Sequence, residues 1–183
     1  MTRIPDVNRD ELTESQQKAY DQLLSSGATP QGPGAIAVHS PEMALLRTAP
    51  SNYLRFQTTI PDRVLELAIL TTARCLDCPY VWNAHAGPAR KAGASAGLVD
   101  ALRDRQPLPA IGADESAVVR YGMELMQTHR VSDETFQAAL GVFGKQHLVE
   151  LTALMGQYAQ NVFFLNAFAV DMPAGATEQV LPV

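Results

Sequence analysis

Cysteine is scarce in this chain: Cys75 and Cys78 are the two in 183 residues. The first residues, "MTRIPDVNRDELTESQQ", are polar and carry no export signal. Together these features argue against a disulfide framework and point to a reducing, cytoplasmic setting. Long hydrophobic runs are missing as well. The longest apolar stretches are interrupted by Glu66, Glu150, Gln157 and Asn161, so no membrane span is expected. Positive charge is in deficit: the formal net charge is −5 and the basic residues are scattered. This argues against nucleic acid as the main partner, which would call for a basic patch. No stretch alternates long enough to make a strand, and there is no internal repeat or low-complexity segment. What the chain does have is a hydrophobic fraction of 46%, enough for a single domain over residues 1–183 with a real core.

The apolar periodicity is helical almost throughout and predicts an all-α bundle of about eight helices. A first helix is expected in "RDELTESQQKAYDQLLSSG", with Leu12, Tyr20, Leu23 and Leu24 on its apolar face. The Gly- and Pro-dense "ATPQGPGAIAVHS" reads as a loop. Ser40 caps a second helix, which Pro50 should bend or divide. Pro61 opens a third and Pro79 a fourth; the fourth should kink at Pro88 and close at Gly93. Ser95 and Ser132 cap later helices, and residues 172–183 read as a tail. The last helix is apolar on more than one stripe, which suits a central core helix, a subunit interface, or both.

The segment "LELAILTTARCLDCPYVWNAH" concentrates the chemistry. Glu66 lies among Leu65, Leu67, Ile69 and Leu70, so burial is expected, and a buried carboxyl pairs or has its pKa raised. Arg63, at i−3, is the local candidate partner. Cys78 precedes Pro79 and is the expected N-cap of the fourth helix. There a thiol either is acidified by the helix dipole, against Asp77 beside it, or is an inert buried cysteine. His85 follows Cys78 by two helical turns and can face the same way. Glu66, Cys78 and His85 therefore form a candidate acid–base constellation around one pocket, with Tyr80, Val81 and Trp82 as candidate lining residues. Cys75 and Cys78 form a C-x-x-C that straddles a helix junction. A redox C-x-x-C places its first cysteine at a helix start, whereas here the second cysteine holds that place. A metal site is not expected, because His39, His129 and His147 are far apart in sequence and no second C-x-x-C exists. No cofactor is expected either.

These residues resemble the carboxymuconolactone decarboxylase-like superfamily, which includes the alkylhydroperoxidase D (AhpD) proteins. The AhpD motif is Glu, eleven residues, Cys, two residues, Cys, three residues, His. Here Glu66, eleven residues, Cys78, six residues and His85 reproduce its outer spacing, and the second cysteine of the motif falls on Val81. The resemblance extends through "ELAIL", "C.Y.W..H" and "LVELTALMGQYAQNVFFLNAF", across residues 41–170. It implies an AhpD-like helical fold, a homo-trimer or homo-hexamer, and a small-molecule substrate. Three functions follow as expectations. One is a decarboxylase-like lyase acting on a small carboxylated lactone or related ring compound through Glu66 and His85, with Cys78 in the pocket wall. Another is an AhpD-like thiol peroxidase (a peroxiredoxin-type activity) or disulfide reductase in which Glu66 and His85 activate Cys78. The third is a non-enzymatic helical oligomer that binds a small ligand.

Overall fold

The computed structural model describes residues 2–4, 7–27, 30–173 and 175–183. Among these the chain forms one 3-10 turn (Arg9–Glu11) and eight α-helices: α1 (Glu14–Ser25), α2 (Pro33–Val38), α3 (Pro41–Phe56), α4 (Asp62–Cys75), α5 (Pro79–Lys91), α6 (Ala96–Arg103), α7 (Ala113–Thr128) and α8 (Asp133–Ala167). The described residues contain no strand, and no helix among them is long and apolar enough to cross a membrane. The expected all-α architecture is the one observed.

Several boundaries differ from expectation for physical reasons. The first helix starts at Glu14, because Thr13 makes a capping box with Gln16, the Thr13 amide donating to Gln16 Oε1 at 3.0 Å. The expected loop contains α2. Its start, Ala28 and Thr29, lies outside the described residues, as does Ala174 in the "DMPAG" expected to end the last helix, which stops at Ala167. Pro33 occupies the first turn of α2, and burial of Ala35, Ile36, Ala37 and Val38 holds the helix despite the flanking glycines. Pro50 does not divide α3, nor does Pro88 interrupt α5. The carbonyls that lose their helical partners belong to Leu46 and Ala84, both on exposed turns where water can replace the bond. The last two expected helices run together as α8, but Gly144 (φ 68°, ψ 174°) breaks the helical backbone there, a conformation that suits glycine.

The chain forms two compact units, Met1–Gln57 with Gln160–Asp171, and Thr58–Ala159 with Met172–Val183. In the first, α1, α2 and α3 pack together over Ala19, Ala37 and Ala44, with Met43, Leu45 and Phe164 against them. Arg47 bonds to Asn161 and lies 5.5 Å from the centre of the Phe164 ring. The start of the chain is tied in by the Arg3 amide, which donates to the Phe168 carbonyl at 2.9 Å.

The second unit is organised around α4, which packs on α5, α6 and α7. Every residue from Val64 to Arg74 is buried, so it is α4 that is enclosed around its whole girth. On α8, Val149 is exposed in this unit, and Phe163 is exposed in the first. The final residues dock on this unit. Leu181 is buried, Asn83 Nδ2 donates to the Glu178 carbonyl at 3.1 Å, and Arg74 donates to the carbonyls of Pro182 (2.9 Å) and Arg103 (2.8 Å).

The approach of α7 to α4 depends on Gly122. A Cβ there would lie 2.9 Å from Thr71 Cγ2 and 2.8 Å from Met155 Cε. The methionine can swing aside, but the threonine is fixed on the buried helix. Gly122→Ala is expected to destabilise the protein by about 1–3 kcal/mol, read as a lower urea midpoint. An unchanged midpoint would show that the two helices have slack at this crossing.

Candidate active site

The connection between α4 and α5 is short and charge-locked. Asp77 adopts a left-handed backbone (φ 49°), which aspartate tolerates better than most residues. Its carboxylate bonds to Arg74 and, at 2.7 Å, to Arg105. Burial works to raise the Asp77 pKa, but hydrogen bonds from Arg105 and Arg74 outweigh it and hold the carboxyl below its ordinary value. Cys78 then serves as N-cap and Pro79 as the first residue of α5, as the sequence predicts.

This junction sets α5 against α4 with His85 facing Glu66. The expected burial of Glu66 is observed, with 6% of the residue exposed. Its Oε2 lies 2.7 Å from His85 Nδ1. The His85 and Tyr158 rings meet in a T-shaped contact, with centroids 5.1 Å apart and planes at 87°. His85 keeps 15% of its side chain exposed, so the histidine, more than the carboxylate, is open to a visitor. With Nδ1 bonded to Glu66, Nε2 is the ring nitrogen left to meet a substrate. Arg63, the expected local partner, pairs with Asp114 and lies 3.8 Å from Glu115 Oε1 on α7.

Two of the three expected catalytic groups are thus brought into contact. Cys78 lies two turns before His85, about 10 Å along the helix axis. The helical neighbour of His85 one turn earlier is Val81, a buried apolar residue. Cys78 is 1% exposed. Burial pushes its thiol pKa up, and the backbone amides of Val81 and Tyr80 at the helix start work the other way without prevailing. Of the two readings of this N-cap cysteine, the burial favours the inert one, because loss of water works against the helix-terminus field. Cys75 ends α4, as expected, and lies nearer the surface with Gln127 beside it at 3.9 Å. Burial pushes its thiol from an ordinary 9.0 to about 11. Among the candidate lining residues Tyr80 is half-buried, Val81 is buried, and Trp82 is one of the largest fully buried side chains in the protein.

Tyr158 was not singled out by sequence reasoning as part of the site. It lies on α8, far along the chain, and reads there as one more apolar position in a rich stripe. Only its phenol, in a run of aliphatic residues and phenylalanines, could have marked it. Among the described residues, no group of three or more His, Cys, Asp and Glu side chains is placed to hold a metal ion.

With this geometry in hand, comparison with known proteins is informative about fold. No family model and no curated protein matches the chain. Solved structures do. One, described as an alkylhydroperoxidase AhpD core, an uncharacterized peroxidase-related protein from Ralstonia eutropha, superposes with a TM-score of 0.72 at 13% identity, covering 94% of this chain and 93% of that one. Another, an uncharacterized peroxidase-related protein from a Silicibacter species, gives a TM-score of 0.71 at 17% identity over 96% of this chain and 93% of that one. The chain has the AhpD-like helical fold.

The Cys75 environment carries a pH consequence. The folded thiol holds its proton more tightly than the unfolded one, so its contribution to stability is complete below the ordinary value of 9.0 and is lost as pH rises from there towards about 11. Cys75→Ala should therefore flatten the alkaline loss of stability across that window, measured by urea unfolding at a series of pH values. An identical slope in the variant would show that other groups govern it.

Proposed function

We propose that this chain is an enzyme of the carboxymuconolactone decarboxylase-like group that moves a proton with Glu66 and His85 on a small carboxylated lactone or related ring compound. The observation carrying this reading is the 2.7 Å bond between buried Glu66 and less buried His85. In decarboxylation the bond from ring carbon to carboxylate breaks, carbon dioxide leaves, and the electron pair stays on the substrate as an enolate. Protonated His85 delivers a proton from Nε2 to that carbon, and the Glu66 carboxylate orients and stabilises the imidazolium through Nδ1. Val81 and Tyr158 beside the histidine are apolar surroundings of the kind that favour expulsion of a charged carboxylate.

A second reading is a thiol peroxidase or disulfide reductase with Cys78 as the reacting group. It is favoured by the description of both structural neighbours as peroxidase-related and by the position of Cys78 at the start of α5. The burial of Cys78 and the absence of a thiol at position 81 weigh against it.

Glu66→Gln and His85→Ala should each lower turnover by about 10²–10⁴-fold, the usual worth of a positioned acid or base. Cys78→Ala should cost less than about tenfold, because under this reading the sulfur only shapes the pocket. Steady-state assays of lactone decarboxylation and of peroxide consumption decide the matter. Abolition of peroxide consumption by Cys78→Ala, with sulfenic acid trapped on Cys78 of the parent, would replace the first reading with the second. Exposed Val149 and Phe163 on α8 further support a homo-trimer or homo-hexamer. Light scattering should then give a mass of three or six times 19.8 kDa, and a mass equal to one chain would refute the assembly.

A further inference from the structure

Away from Glu66 and His85, the second unit contains a cavity of about 490 Å³ between the end of α4, α6, the loop that follows it, and α7. That volume falls in the range of small-molecule sites. Leu102, Leu108 and Met123 form apolar walls, and Arg74, Arg105 and Gln127 bring nitrogen donors. Two further polar atoms on its lining are unusual. Thr71 is completely buried, and its hydroxyl finds no hydrogen-bond partner among the described residues. Its methyl group packs at Gly122, and the residue lines the cavity. Arg74 is 5% exposed, and its Nε–H is likewise unpartnered although its other nitrogens are bonded to Asp77, Arg103 and Pro182. Buried polar groups in folded proteins are nearly always paired, so a donor and a hydroxyl left together at one cavity mark a place built for an acceptor from outside the chain.

We propose that this cavity is a second ligand site, distinct from the Glu66–His85 pair, that takes a small carboxylate with an apolar body. Charge supports the sign of the ligand: two guanidinium groups, Arg74 and Arg105, face one carboxylate, Asp77, leaving a net positive site. The carboxylate of the ligand accepts from Arg74 Nε–H, the Thr71 hydroxyl and Arg105, and its body lies against Leu102, Leu108 and Met123. The inference stands apart from the acid–base reading, in which Arg74 and Arg105 enter only through the turn at Asp77.

Cys75 on the cavity wall provides a residue-resolved reporter, with the more deeply buried Cys78 as internal reference. The probes are 4-phenylbutyrate and its neutral amide, 4-phenylbutyramide, on the intact chain. Alkylation by N-ethylmaleimide under mildly alkaline conditions is followed by peptide mass spectrometry, and affinity by calorimetry. Phenylbutyrate should slow alkylation of Cys75 but not of Cys78, and the amide should bind more weakly by roughly tenfold, the worth of a charge-assisted hydrogen bond. Thr71→Val and Arg105→Gln should each weaken binding of the carboxylate several-fold. Thr71→Val should leave the melting temperature unchanged or raised, because it removes an unpaired hydroxyl. Arg105 is exposed, so its variant keeps the test alive if Thr71→Val folds poorly. Unaltered Cys75 alkylation, equal affinity for acid and amide, or undiminished binding in Arg105→Gln would each overturn the proposal.

Discussion

The hydrogen bond between Glu66 and His85 constrains everything around it. Glu66 sits on α4, a helix enclosed on all sides from Val64 to Arg74, and a carboxylate placed there costs several kcal/mol unless another polar group meets it. His85 can do so only if α5 returns against α4 at one register. That register is set by the turn at Leu76 and Asp77, by Pro79 at the start of α5, and by the Arg74 and Arg105 contacts that hold Asp77. Loss of the turn geometry would shift His85 along α4 and leave a buried acid without a partner. The site and the core are therefore one problem, solved by the same few residues.

The two cysteines show how little a sequence motif says about reactivity. Their C-x-x-C spacing is real, yet Cys75 ends one helix and Cys78 precedes the next. Burial raises both thiols, Cys75 against the favourable influence of Gln127 and Arg74, and Cys78 against that of two amides. In neither place does the local attraction offset the loss of water. A thiol at a helix start is reactive only where solvent or substrate can reach it, and Cys78 is almost completely covered.

Much of this was legible in the chain. The helical period, the Pro79 start and the capping serines located most elements, because those signals are local. The apolar neighbours of Glu66 announced its burial, and its spacing to Cys78 and His85 singled out the pair that now meets. Other features depended on tertiary context. The helix Pro33–Val38 is held by burial of its alanines and Ile36, which no neighbour in sequence reveals. Whether Pro50 and Pro88 interrupt their helices depends on which side faces water. Tyr158 joins His85 only through the packing of α8, and the Thr71–Arg74 cavity depends on α6 and α7 being beside α4.

Neither compact unit is a continuous piece of chain. The first joins residues 1–57 to 160–171, and the second joins 58–159 to 172–183. Thr2 and Asp171 are bonded across 169 residues of sequence, and Arg74 and Pro182 across 108. Long-range closures of this kind slow folding, since the intervening chain must be ordered before the contact can form. They also limit how such a gene can be recombined. A crossover that exchanged a single contiguous segment would split at least one unit between two parents, so variation in this architecture is expected to accumulate by point substitution rather than by swapping of whole modules.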